Sequence, residues 1–172
     1  LDPNKAPQSW KELSEAAQKL TKKDASGKVT QYGIQIPSTG FAYWMLQTLT
    51  TPNGVLLANE TGTKVTFDHP KVIEALEYWV NLTKQGVHPA GVVEWGTTPK
   101  DFFEKKAAIM VTTTGNLTNV RKNAQFDFGV GQIAGNLRKG SPTGGGNFYI
   151  FKKAPKEQQE AAFKFIQWIT QP

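Results

Sequence analysis

The chain has 172 residues, 38% of them hydrophobic, with five tryptophans, two histidines, no cysteine and a net charge of +6. That content suits a folded core of about one domain. It excludes disulfides and thiolate metal centres, and it leaves no ligand-spaced histidine pair for zinc and little for Ser-His-Asp or Cys-His catalysis. The positive charge invites nucleic acid, but the lysine pairs Lys22-Lys23, Lys105-Lys106 and Lys152-Lys153 are scattered and no nucleic-acid-binding motif accompanies them. A solvated basic surface without a nucleic-acid partner is the expectation.

The opening on Leu1-Asp2-Pro3, without an initiating methionine, reads as a processed or excised chain. No apolar run reaches the ~18 residues of a membrane-spanning helix. Ser9 and Glu12 form a capping box ahead of Trp10, Leu13, Ala16, Ala17 and Leu20, a stripe at helical spacing. Asp24-Ala25-Ser26-Gly27 then reads as a turn, and residues 30–36 as a strand. Residues 41–49 predict an aromatic-rich helix closed by Pro52-Asn53-Gly54, and 64–67 a short strand.

The clearest helix covers 70–85, with Asp68 as its cap, Pro70 in its first turn and Gly86 at its stop. Its expected buried face is Val72, Ile73, Leu76, Trp79 and Val80. A short helix over 101–105 leads into the apolar run 107–111, read as a buried strand. A helix over 117–124 follows, then strands over 127–132 and 147–151 around a glycine-dense loop. A final helix over 156–171 carries Ala161, Ala162, Phe165, Ile166 and Ile169 on one face. Helices and strands alternate without an internal repeat, which predicts one α/β lobe.

Three places carry candidate chemistry. Thr112, Thr113, Thr114, Gly115 and Asn116 stand where a strand feeds a helix, the position at which open α/β sheets bind ligands. The same pattern describes an ordinary capped loop, and the motif alone does not separate the two. Ser38-Thr39-Gly40 with Phe41, Tyr43 and Trp44 sets hydroxyls beside aromatic faces that pack on the C–H surfaces of sugars and polyols, although a helix start with core aromatics reads equally well. Gly144, Gly145 and Gly146 before Asn147 let backbone amides approach a ligand, but the run lacks the lysine and spacing of a nucleotide loop. Trp95-Gly96 reads as a packed surface tryptophan in preference to a loop-borne aromatic contact. Glu94, Asp101 and Glu104 read as solvated, and the sequons at Asn59, Asn81 and Asn116 as chance matches.

A family likeness rests on residues in order along nearly the whole chain. They are the Trp10-Lys11-Glu12-Leu13 helix, Tyr32-Gly33, Phe102 to Met110, Phe126-Asp127-Phe128-Gly129-Val130-Gly131, the Gly144–Gly146 run, and the closing Ala161 to Thr170 segment. The chain resembles the bacterial extracellular solute-binding proteins of ABC importers. The resemblance implies an α/β fold, one lobe of a type II periplasmic-binding-protein clamshell with a mixed sheet flanked by helices. Residues 1–172 would be the C-terminal lobe, without its N-terminal counterpart.

The resemblance further implies a glycerol phosphate, glycerophosphodiester or sugar held between lobes and passed to a membrane permease. Tyr43 would be an aromatic contact, Thr113 or Thr114 a hydroxyl contact, and Gly144 or Gly145 an amide contact. A monomer in the periplasm, or anchored outside the membrane, is implied, with no cofactor and no catalysis. A stand-alone enzyme domain acting on phosphorylated sugars or polyols, and a pure interaction module, are the rival readings.

Overall fold

The computed structural model describes residues 5–171; Leu1 and Pro172, the ends of the expected lobe, lie outside them. The chain divides into two compact units, Leu1–Pro142 and Thr143–Pro172.

The first unit begins with α1 (Trp10–Leu20). Ser9 Oγ accepts from Glu12 N–H at 3.2 Å, while the Glu12 carboxylate accepts from Gln8 N–H at 2.7 Å, one residue earlier than in the usual reciprocal box. A two-stranded antiparallel hairpin follows, β1 (Lys22–Lys23) and β2 (Val29–Gln31). Its turn is closed by Asp24, whose Oδ1 accepts from Ser26 N–H, Ser26 Oγ–H and Lys28 N–H. The hydrogen bond from the Ser26 side chain is the main cause holding the Asp24 carboxyl below its ordinary value.

Beyond β2 the backbone continues extended and runs parallel to residues 107–111. Tyr32 N–H donates to Lys106 O, Ala108 N–H to Tyr32 O, Gln35 N–H to Ile109 O and Val111 N–H to Gln35 O, at 2.8–3.0 Å. On its other side Ile34 N–H donates to Val87 O at 3.1 Å. The predicted strand at 30–36 is therefore a short hairpin arm followed by an irregular parallel pairing. Gly33 is needed here, because a Cβ would stand 1.9 Å from the Ala17 carbonyl oxygen at the end of α1.

The helices α2 (Ala42–Thr50) and α3 (Pro70–Lys84) pack on this framework. Ala17, Ile34, Ile36, Met45, Leu82 and Val87 form one buried cluster, and Trp10, Leu49 and Ala75 a second. Tyr78 stacks on Trp10 with centroids 4.4 Å apart and donates to Trp10 O at 3.0 Å. Burial raises the Tyr78 pKa.

Two features of α3 correct the sequence reading. Its cap is His69, whose Nδ1 accepts from Lys71 N–H at 3.1 Å, and not Asp68. Its buried residues are Val72, Ala75 and Leu82, with Trp79 half-buried, whereas Ile73, Leu76 and Val80 are exposed. Gly86 does end the helix: Gly86 N–H donates to Thr83 O, and Val87 N–H to Leu82 O.

Further along, α4 (Thr98–Phe103) starts three residues before its predicted position, and α5 (Leu117–Asn123) follows a 3-10 turn, Thr114–Asn116. The expected strand at 64–67 is reduced to one antiparallel bridge, Ala58 with Val65, and residues 127–132 form no strand. Apolar alternation marks a face for burial, but a strand exists only where a neighbour supplies backbone partners.

The second unit consists of an irregular segment followed by α6 (Lys156–Ile169). Residues 147–151, read as a strand, have no regular structure. Phe148 meets Phe165 edge-on at 6.3 Å, and α6 buries no residue fully.

Candidate functional site

The extended segment 32–36 and the segment 107–111 end side by side, and the loops leaving them carry the candidate site. The first loop is stapled to residues 92–95 by its own hydroxyls. Ser38 N–H donates to Val93 O at 2.8 Å, Val93 N–H donates to Ser38 Oγ at 2.9 Å, and Thr39 Oγ1 donates to Glu94 Oε2 at 2.5 Å. These hydroxyls, candidates for ligand contact from sequence, serve here to tie two loops together. Glu94 is correspondingly engaged rather than simply solvated.

The staple places Trp95 against the start of α2. Its ring lies 5.2 Å from Phe41, edge-on, and 6.2 Å from Trp44. Gly40 permits this approach: its φ is +74°, and a Cβ would come within 2.9 Å of Trp95 Cβ. Beneath the loops sits His88, buried and neutral in role. Its Nε2 accepts from Ile36 N–H at 3.1 Å, which places the proton on Nδ1 for donation to Pro89 O at 2.8 Å. Burial, the largest cause, lowers the His88 pKa.

Opposite Trp95 lies the loop that follows Val111. A cavity of about 290 Å³ is lined by Trp95, Gly96, Pro99, Thr112, Thr113, Gly115 and Asn116. The loop is internally braced. Thr113 Oγ1 accepts from Gly115 N–H at 3.2 Å, Thr113 O from Asn116 N–H at 3.0 Å, and Thr114 O from Leu117 N–H. Asn116 Nδ2 donates to Thr112 Oγ1 at 3.3 Å and its Oδ1 accepts from Asn119 at 3.0 Å.

Of the residues expected from sequence, Thr113, Gly115 and Asn116 line this cavity, while Thr114 is exposed beside it. Trp44 is half-buried and packed against the core behind Trp95. Tyr43 is exposed on α2. Gly144 and Gly145 belong to the second unit and are exposed. Trp95 also lines the cavity, a residue whose sequence reading favoured packing over a loop-borne contact, together with Pro99, which carried no signal of its own. The available signal was a tryptophan beside a glycine just ahead of a helix start, a combination that local sequence does not separate from a packed surface residue.

A second, wider cavity of about 540 Å³ is lined by residues including Asp24, Tyr32, Gln35, Asp101 and Lys106. Asp101 accepts there from Gln35 Nε2 at 3.2 Å, so it is not merely solvated. Glu104 meets Lys106 at 2.6 Å and Lys100 at 3.7 Å, and the Lys106 partner holds its carboxyl below the ordinary value.

Residues 2–172 match the family model described as bacterial extracellular solute-binding protein. Among curated relatives, the sn-glycerol-3-phosphate-binding periplasmic protein UgpB of Yersinia pseudotuberculosis is 25% identical over 178 residues, covering 100% of this chain and 40% of that protein. The chain thus spans about 40% of the length of the curated relatives it matches. Among solved structures, maltose-bound MalE3 of T. maritima superposes with a TM-score of 0.75 at 26% identity, over 97% of this chain and 44% of that one. UgpB of Mycobacterium tuberculosis, in complex with glycerophosphocholine, gives 0.72 at 20% identity, over 99% and 42%.

Proposed function

We propose that this chain, which belongs to the bacterial extracellular solute-binding proteins, is one lobe of a two-lobed binding protein serving an ABC importer. The lobe is the C-terminal one of a clamshell whose N-terminal lobe lies outside these 172 residues. The solute, a glycerol phosphate, a glycerophosphodiester or a sugar, is held between lobes. Closure about a hinge then presents a new surface to the membrane permease. The protein acts as a monomer in the periplasm, or anchored on the outer face of the membrane, without a cofactor.

The observation that carries this reading is the cavity between Trp95 and residues 112–116, at the ends of two parallel-paired segments. That is the position at which α/β sheets bind ligands, where loops converge beyond the strand ends. On this reading Thr113, Gly115 and Asn116 are wall residues and Thr114 stands at the rim. Trp44 backs the aromatic platform and Tyr43 reaches the solute from α2. Gly144 and Gly145 supply backbone amides, a role that rests on the resemblance alone.

Binding rather than catalysis is favoured by the chemistry present. His88 has both ring nitrogens engaged with backbone, and it does not line the cavity. Calorimetric titration of the complete two-lobed protein with sn-glycerol-3-phosphate, a glycerophosphodiester and maltose tests the reading. Saturable binding of at least one, without turnover, is expected. Binding of none removes the assignment, and turnover of any restores an enzyme.

A further inference from the structure

We infer that this wall takes an uncharged polyhydroxylated unit, a saccharide ring, rather than a phosphate group; the inference rests on the binding reading above. Three observations lead to it.

First, no charged side chain lines the cavity. The charged neighbours along the chain are already committed: Glu94 to Thr39 Oγ1, and the Lys100 ammonium to Glu104 at 3.7 Å. Arg121 and Lys122 belong to the last turn of α5, the end away from the cavity. A phosphate would therefore meet no cation among the lining residues.

Second, three of the loop amides that could hold an anion are used. Gly115, Asn116 and Leu117 N–H all donate within the turn, to Thr113 Oγ1, Thr113 O and Thr114 O. The phosphate-cradling nest requires such N–H groups to converge unpaired on the ligand. What the loop keeps is hydroxyl chemistry. Thr112 and Thr113 each use the side-chain oxygen as an acceptor, so each hydroxyl proton can donate to the oxygen of a solute hydroxyl.

Third, the facing wall is aromatic. Trp95 is half-buried, buttressed edge-on by Phe41 and from behind by Trp44, and so held at a fixed inclination. A rigid indole face is a platform for the C–H face of a sugar ring. The volume of about 290 Å³ lies near the lower end of small-molecule sites, so this wall accommodates one ring rather than a long chain.

The test is titration of the complete two-lobed protein with maltose, sn-glycerol-3-phosphate and inorganic phosphate at two ionic strengths. Maltose is expected to bind with an affinity that stays within about twofold between roughly 0.05 and 0.5 M salt, because no charge is neutralised. Trp95→Ala is expected to weaken maltose by about tenfold or more. Thr112→Val, which keeps the side-chain shape, should weaken it by roughly fivefold and so keeps the test decisive if Trp95→Ala fails to fold. Salt-sensitive binding of sn-glycerol-3-phosphate or phosphate, with maltose inert, overturns the inference and leaves the binding reading standing. Binding of none of the three, nor of a glycerophosphodiester, overturns both.

Discussion

Helices α3 and α6 are of nearly equal length, 15 and 14 residues, and each carries an apolar stripe with a charged opposite face. Their fates differ. Ala75 and Leu82 of α3 are enclosed by α1, α2 and the extended segments, and Val72 packs with Val55 and Leu57, whereas α6 leaves Phe163, Phe165, Trp168 and Ile169 exposed. Amphipathic spacing states what a helix can bury. Stabilisation follows only from apolar area that a partner removes from water, at roughly 25 cal/mol per Å².

The largest expected contrast is between truncations on the two helices. Leu82→Ala should cost about 2–5 kcal/mol in urea denaturation, as a core leucine leaving a cavity. Phe165→Ala, from a side chain already half in water, should cost under about 1 kcal/mol. Equal losses would break the comparison.

His88 tests whether the polar core beside α3 is as firmly enclosed. His88→Ala removes the partners of Ile36 N–H and Pro89 O and should destabilise by about 1–3 kcal/mol. The pH dependence has a definite sign. Burial lowers the folded pKa, so the unfolded chain binds more protons. The stability held by neutral His88 is therefore full above the unfolded pKa, near 6.5, and falls as the pH drops towards the lowered folded value. His88→Gln should abolish that part of the acid loss in a pH series of melts.

Smaller effects sharpen the picture at the loops. Gly40→Ala places a Cβ against Trp95 at a left-handed φ and should cost roughly 1–2 kcal/mol, with a shift in tryptophan fluorescence. Lys105 is, among the described residues, the non-glycine residue with positive φ, +59°, and its ammonium lies 5.4 Å from the Phe126 ring centroid. Lys105→Gly relieves the backbone and loses that contact, so a net gain of at most about 1 kcal/mol is expected in thermal melts.

The Trp95 wall shows how far a site can be read from residues. That residues 113, 115 and 116 form the turn between an extended segment and a helix was legible because an apolar run, a hydroxyl cluster, a glycine and a helix fall in immediate succession. The placement of Trp95 against α2 was not, because it depends on the Ser38–Val93 and Thr39–Glu94 bonds, which join positions 55 apart. The Val93 and Glu94 partners of Ser38 and Thr39 were not legible for the same reason: a hydroxyl's partner is not written beside it.

Ser9, Pro70, Gly86 and the 3.6-residue periodicity sufficed to place α1 and α3, since those signals act within a few positions of the backbone they organise. The family, too, was legible from the order of weak motifs. The α3 face was not. Two apolar stripes run along that helix, Val72-Ala75-Leu82 and Ile73-Leu76-Val80, and the bulkier one is exposed. The smaller stripe is the one that meets partners, Ala75 packing with Trp10 and Leu49. Strand pairing was decided the same way, by backbone partners distant in sequence. The chain's local chemistry set where helices start and stop. Only the tertiary structure chose which faces meet, because burial and strand hydrogen bonds belong to pairs of segments and not to either one alone.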